Sequence, residues 1–135
     1  MIDFKKKFWD KKIITWENDR YFLGKKNKKN NSVKNRLFYA EKFLSKIVKG
    51  KNVLEIGCGS GLLAKKLIKH GAKSYLGYDF ASIAILRAKE LHKNYNNIKF
   101  KNDNVLKIKN TKKYDIIFSL GLIDWLNKKE LNHLV

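Results

Sequence analysis

The chain has 135 residues, 44% of them hydrophobic and 13% aromatic, which suits a single folded α/β domain and excludes an intrinsically disordered segment. Its formal net charge of +19 points toward acidic partners, but all but three of its 31 basic residues are lysine, and with many Asn and Ile residues that profile fits an A- and T-rich coding bias as well. The lone cysteine, Cys58, excludes an internal disulfide framework and a cysteine-based zinc site; MIDFKKKFWDKK has no apolar stretch after its charges, and no run nears the ~20 apolar residues that span a bilayer, so a cytoplasmic protein with no membrane span is expected.

Residues 1–31 read as a basic, aromatic extension carrying Phe4, Phe8, Trp9, Trp16, Tyr21 and Phe22, and the run GKKNKKNN at its end is a linker or exposed loop. Residues 32–135 read as one domain. Ser32 stands as an N-cap before Val33, Leu37, Ala40, Leu44 and Ile47, a helical stripe that Gly50 closes. NVLEI (52–56) is a short buried strand, GLLAKKLIKH (61–70) a helix stopped by Gly71, and KSYLGYD (73–79) a second strand. Ser82 caps the helix IAILRAKELHKN, with Ile83, Leu86, Leu91 and the intervening alanines on one apolar face. NIKFKND (97–103) is a third strand and YDIIFSLGL (114–122) a fourth, after which Asn127 and Glu130 stand at capping-box spacing. Strands separated by helices of this length predict βαβ units and a parallel sheet.

The first strand runs into Gly57, Gly59 and Gly61, at the junction where a helix amino end offers unpaired N–H groups to an electron-rich ligand. The dinucleotide fingerprint G-x-G-x-x-G/A would place a small residue where Leu62 stands, which counts against NAD. With Glu55 two residues ahead, the stretch instead resembles motif I, E/D-x-G-x-G-x-G, of the class I S-adenosylmethionine-dependent methyltransferases. The resemblance continues in order to the end of the chain, through YLGYDFAS, KFKNDNVLKI and KYDIIFSLGLIDWL. It implies S-adenosylmethionine as cofactor, with the Gly57–Gly61 turn and Cys58 beside the methionine moiety. Asp79, followed by Phe80, would hold the ribose hydroxyls, since a carboxylate accepts two O–H hydrogen bonds at once. Asp103, flanked by Asn102 and Asn104, would stand near the adenine amino group, and Ser119 and Leu120 near the transferred methyl. Glu55 either orients the turn by accepting backbone N–H bonds or reaches the ligand. Asp115 is expected to be structural and Cys58 a small apolar filler. His70 suits the end of its helix, His92 and His133 face solvent, and no cluster suggests a metal.

The chain has no proline, so it lacks both the [DNS]-P-P-[YFW] motif of the amino-methylating DNA enzymes and the Pro-Cys nucleophile of the cytosine enzymes. DNA is accordingly disfavoured. SLGLIDW resembles the apolar fourth-strand ends of small-molecule methyltransferases, which makes Gly121, Asp124 and Trp125 pocket candidates along with Ser119 and Leu120. Asp124 is either a general base or a loop residue, and Trp16 and Tyr21 either form part of a lid or pack ordinarily. The family's sheet has seven strands in the order 3-2-1-4-5-7-6, of which this chain supplies 3-2-1-4, with the C-terminal strands missing. The fourth strand is then an edge, to be left by a truncated product, paired with a second copy or completed by another polypeptide. Three functions remain: methyl transfer to a small-molecule acceptor, a non-catalytic cofactor-binding or partner-binding module, and an RNA methyltransferase using the lysine-rich surface.

Overall fold

The computed structural model describes residues 2–18, 32–109 and 111–134, so Tyr21, Phe22 and the lysine-rich run lie outside the described residues. Among the described residues the α-helices and β-strands are α1 (Ile2–Glu17), α2 (Ser32–Leu44), β1 (Asn52–Ile56), α3 (Ala64–Lys69), β2 (Ser74–Asp79), α4 (Ser82–Leu91), β3 (Ile98–Asn102), β4 (Ile116–Phe118) and α5 (Lys128–Leu134). The four strands form one parallel sheet in the order β3-β2-β1-β4, the predicted topology. Asn52 pairs with Ser74 and Val53 with Ile116, so β1 is central. Asp115 fixes the start of that last pairing, because its Oδ2 accepts the Asn52 N–H at 2.7 Å.

Alternation along the strands builds two cores. Val53, Tyr75, Ile98 and Phe100 face Leu63, Ala64, Leu67, Ile85 and Ala88 on one side of the sheet. Leu54 and Ile56 face Val105, Leu106 and Leu134 on the other. A third, smaller cluster joins α1 to α4 through Ile13, Ala81 and Ala84, with Trp9, Trp16 and Phe80 around it.

Helix α4 departs from its expected face. Its buried residues are Ala84, Ile85 and Ala88, while Leu86 is 65% exposed and Ile83 and Leu91 are also exposed. Small alanines let the helix approach both the sheet and α1, and the larger side chains point outward. Nor is Ser82 the cap. Ala81 holds that position, and the first N–H groups of α4 are satisfied from elsewhere: Ala81 N–H by Asp79 Oδ1 at 2.9 Å and Ser82 N–H by Asp10 Oδ1 of α1 at 2.6 Å. Lys6 strengthens this joint by donating to Phe80 O at 2.9 Å and Ser82 Oγ at 2.8 Å. The capping box at the start of α5 forms as expected, with Asn127 and Glu130 exchanging two 2.9 Å hydrogen bonds. His92 is buried rather than solvent-facing, its Nδ1 2.6 Å from Ala88 O, and burial pushes its pKa down.

Candidate functional site

The carboxyl ends of β1, β2 and β4 open into a cavity of about 240 Å³. Gly57, Cys58 and Gly59 form its floor, Asp79 and Phe80 border it from β2, and Leu120, Gly121, Leu122, Asp124 and Trp125 border it from beyond β4. Helix α1 covers it with Trp9, Ile13, Trp16 and Glu17. A smaller cavity of about 50 Å³ shares Gly57, Asp79, Phe80, Leu122 and Trp125 with the first and extends to Asn104, Val105 and Leu106. Together they trace an elongated path from the glycine turn past Asp79 to the segment after β3.

The turn owes its shape to residues with positive φ at Gly57, Gly59 and Gly61. Two of these are also close approaches. A Cβ on Gly61 would lie 2.5 Å from the Phe100 ring, so that glycine packs the turn onto the sheet and borders neither cavity. A Cβ on Gly59 would lie 2.6 Å from Glu17 Oε1, so that glycine admits the α1 carboxylate to the turn. Cys58 fills the space left by Gly77 on β2, where an added Cβ would meet its Sγ at 2.6 Å. Burial drives the Cys58 thiol pKa well above its usual range, consistent with a filler.

Three acids converge here. Asp79, 8% exposed, accepts the Gly59 N–H through Oδ2 and the Ala81 N–H through Oδ1, both at 2.9 Å. Glu17, 2% exposed, accepts the Ser60 N–H through Oε1 at 2.9 Å. Glu55, 5% exposed, accepts instead from the Tyr75 hydroxyl. The turn's N–H groups are thus oriented by Asp79 and Glu17 rather than by Glu55, because β1 points Glu55 at the Tyr75 side of the sheet. Burial raises the pKa of all three; Glu55 reaches about 8, with the Tyr75 hydrogen bond opposing the shift and the Asp79 and Glu17 charges adding to it. Glu55 is therefore mostly protonated at neutral pH, which keeps its charge out of a cavity that Glu17, Asp79 and Asp124 also line.

Asn104 borders the smaller cavity, and its Oδ1 accepts the Leu106 N–H at 2.9 Å. Asp103 is exposed, borders neither cavity, and turns its Oδ1 to the Asn104 N–H at 2.7 Å. The Ser119 hydroxyl is buried with no hydrogen bond and likewise stands outside both linings. Of the aromatic candidates, Trp16 and Trp125 flank Trp9 at ring-centroid distances of 5.8 and 4.9 Å. The sequence reading missed Glu17, Arg36, Leu122 and Ile13. Glu17 and Ile13 fall on one helical face with Lys6, Asp10 and Trp9, a spacing that was available but mixed charged with apolar residues. Among the described residues no group of acids, His and Cys suits a metal, and no helix is long and apolar enough to cross a membrane.

Comparison with known proteins agrees with this geometry. A family profile described as a methyltransferase domain matches residues 53–135. The chain is 35% identical over 86 residues to malonyl-[acyl-carrier protein] O-methyltransferase 2 of Ilyobacter polytropus, a match covering 62% of this chain and 33% of that protein. It is 35% identical over 91 residues to the ubiquinone biosynthesis O-methyltransferase of Coxiella burnetii, covering 66% of this chain and 38% of that one. The chain thus spans 33% and 38% of the length of these two curated relatives. A crystal structure of an S-adenosyl-L-methionine-dependent methyltransferase from Methanococcus maripaludis superposes with a TM-score of 0.71 at 15% identity, covering 93% of this chain and 58% of that one, which establishes the shared fold. The profile match over the glycine turn and all four strands, with the sheet order and the cavity at the strands' carboxyl ends, places the chain in the class I S-adenosylmethionine-dependent methyltransferase family, of whose fold it covers a part.

Proposed function

We propose that the chain binds S-adenosylmethionine along the two joined cavities and serves methyl transfer to a small-molecule acceptor. The observation that carries this reading is the continuity of the path: the glycine turn, Asp79 and the end of β4 share one cavity, which leads on to Asn104 and Val105. The fit is chemical as well as spatial. Asp79 is held rigidly by two N–H donors and keeps lone pairs free for hydroxyl groups, while Phe80, Val105 and Leu106 offer apolar surface for a flat heterocycle. When bound, the cofactor supplies an already electrophilic methyl group. The protein's own task is alignment and exclusion of water. Leu120, Gly121 and Leu122 give the acceptor side an apolar wall, and the α1 tryptophans close the cavity from above, so α1 serves as its lid. Asp124, exposed and on the cavity rim, is the group available to receive an acceptor proton.

The choice of acceptor draws support from the curated relatives, whose names place them on malonyl-[acyl-carrier protein] and in ubiquinone biosynthesis. Calorimetric titration with S-adenosylmethionine tests the first half of the proposal. Asp79→Asn, which keeps one acceptor for the turn, should weaken binding about tenfold to 150-fold, the cost of losing a charged hydrogen-bond partner. A folded wild-type chain that does not bind refutes it. Tritiated-methyl transfer into cell extract, separated into low-molecular-weight and macromolecular fractions, tests the second half; label confined to RNA would overturn the acceptor class.

A further inference from the structure

The cavity is acidic inside a strongly basic chain. Its lining carries Glu17, Glu55, Asp79 and Asp124 against a single cation, Arg36, and no lysine reaches it among the described residues. One of those acids is only half satisfied. Glu17 Oε1 takes the Ser60 N–H, but Oε2 is buried and accepts no hydrogen bond, with the Arg87 guanidinium at 3.9 Å as its nearest cation. A carboxylate offers about four acceptor sites, and leaving one of its oxygens buried without a donor is costly. Three neighbouring features hold it there regardless: Gly59 leaves room for it, Ile13 anchors the preceding turn of α1, and Asp10 and Lys6 fasten that helix to α4.

We propose that the Glu17 carboxylate binds the α-ammonium group at the amino-acid end of the cofactor, so that α1 reads that end of the ligand. The inference rests on the cofactor reading above. An ammonium supplies what Oε2 lacks, a hydrogen-bond donor, and adds positive charge to a lining in which acids outnumber the single cation. Arg36 complements it. Its guanidinium reaches the same cavity beside Gly121, within 3.3 Å of where a Cβ would stand, so the lining presents one anion and one cation suited to a zwitterionic amino acid. Neither residue lies in the glycine motif. Both come from the helices that precede β1, which ties the closed position of α1 to the presence of the amino-acid group.

Three ligands separate the possibilities: S-adenosylmethionine and S-adenosylhomocysteine, which carry the amino acid, and 5′-methylthioadenosine, which lacks it. Glu17→Gln removes the charge and keeps an acceptor for Ser60. It should weaken the first two ligands about tenfold to 150-fold and leave the third within about twofold. Equal loss for all three, or tighter binding of the first two, overturns the role of Glu17 and leaves the cofactor reading standing. A folded wild-type chain that binds none of the three overturns that reading and this inference with it. Hydrogen exchange on the wild-type chain gives a second readout independent of the variant. S-adenosylhomocysteine should slow exchange in α1 more than saturating 5′-methylthioadenosine does, and equal protection by the two contradicts the proposal.

Discussion

Glu55→Gln should remove one pH-dependent contribution to the stability of the chain. The wild-type acid sits on β1 with 5% exposure, bonded to the Tyr75 hydroxyl, and burial lifts its pKa from 4.5 to about 8. The folded state therefore holds the proton more tightly than the unfolded chain does. The stabilisation is fully present below pH 4.5 and is lost as the pH rises toward 8. Each pH unit in that window costs about 1.4 kcal/mol, so roughly 4 kcal/mol disappears between pH 5 and pH 8. Glutamine matches the protonated acid in shape and still accepts from Tyr75, but has no proton to lose. Urea unfolding of both proteins at pH 5, 6, 7, 8 and 9 reads the difference directly, and the contributions of Glu17 and Asp79 largely cancel in it. The variant should gain on the wild type by about 1.4 kcal/mol per unit up to pH 8 and no further above it. A difference that stays constant from pH 5 to pH 8 would mean that Glu55 titrates as an ordinary carboxylate, and the account of its neutrality in the cavity would fail.

Gly77→Ala places a methyl group 2.6 Å from Cys58 Sγ and 3.0 Å from Phe100, an overpacking that should cost ~1–3 kcal/mol by urea unfolding; an unchanged midpoint would mean the turn is not seated on β2 as described. Cys58 should resist maleimide labelling at pH 7.5 in the folded chain and react once urea unfolds it, since its thiol is buried and its pKa raised; modification at the rate of a free thiol contradicts that. Asp10→Ala removes the acceptor for the Ser82 N–H and should cost ~0.5–2 kcal/mol, as other lost helix caps do. Because the same bond fastens α1, that variant should also shift tryptophan emission to the red, whereas unaltered emission would detach α1 from this role.

Strand positions and sheet order were readable because β1, buried along nearly its whole length, leaves a short apolar run, while edge strand β3 alternates buried with exposed residues, and the Gly57–Gly61 turn between β1 and α3 fixes where the first βαβ unit begins. The face of α4 was not. Ile83, Leu86 and Leu91 are the more apolar side chains, yet close helix packing selected Ala84 and Ala88, and only the partner surface reveals that choice. The site divides in the same way. Gly59, Asp79, Leu120 and Trp125 border the cavity, since each lies at or beyond the carboxyl end of a strand. Of the two neighbouring candidates after β3, Asn104 borders the smaller cavity, whereas Asp103 is exposed and borders neither. Glu17 escaped notice because its partners, Ser60 and Arg87, lie 43 and 70 positions away, and no local pattern encodes a contact of that range.

Backbone amide NMR of the labelled chain during titration with S-adenosylhomocysteine reads whether this chain holds its ligand on the glycine turn. Saturable shifts concentrated at Gly57, Gly59, Ser60, Asp79 to Ala81 and Asn104 to Leu106 are predicted, with α1 responding alongside. An unperturbed spectrum from a folded chain, or shifts gathered on the lysine-rich surface away from β1 and β2, would contradict the account.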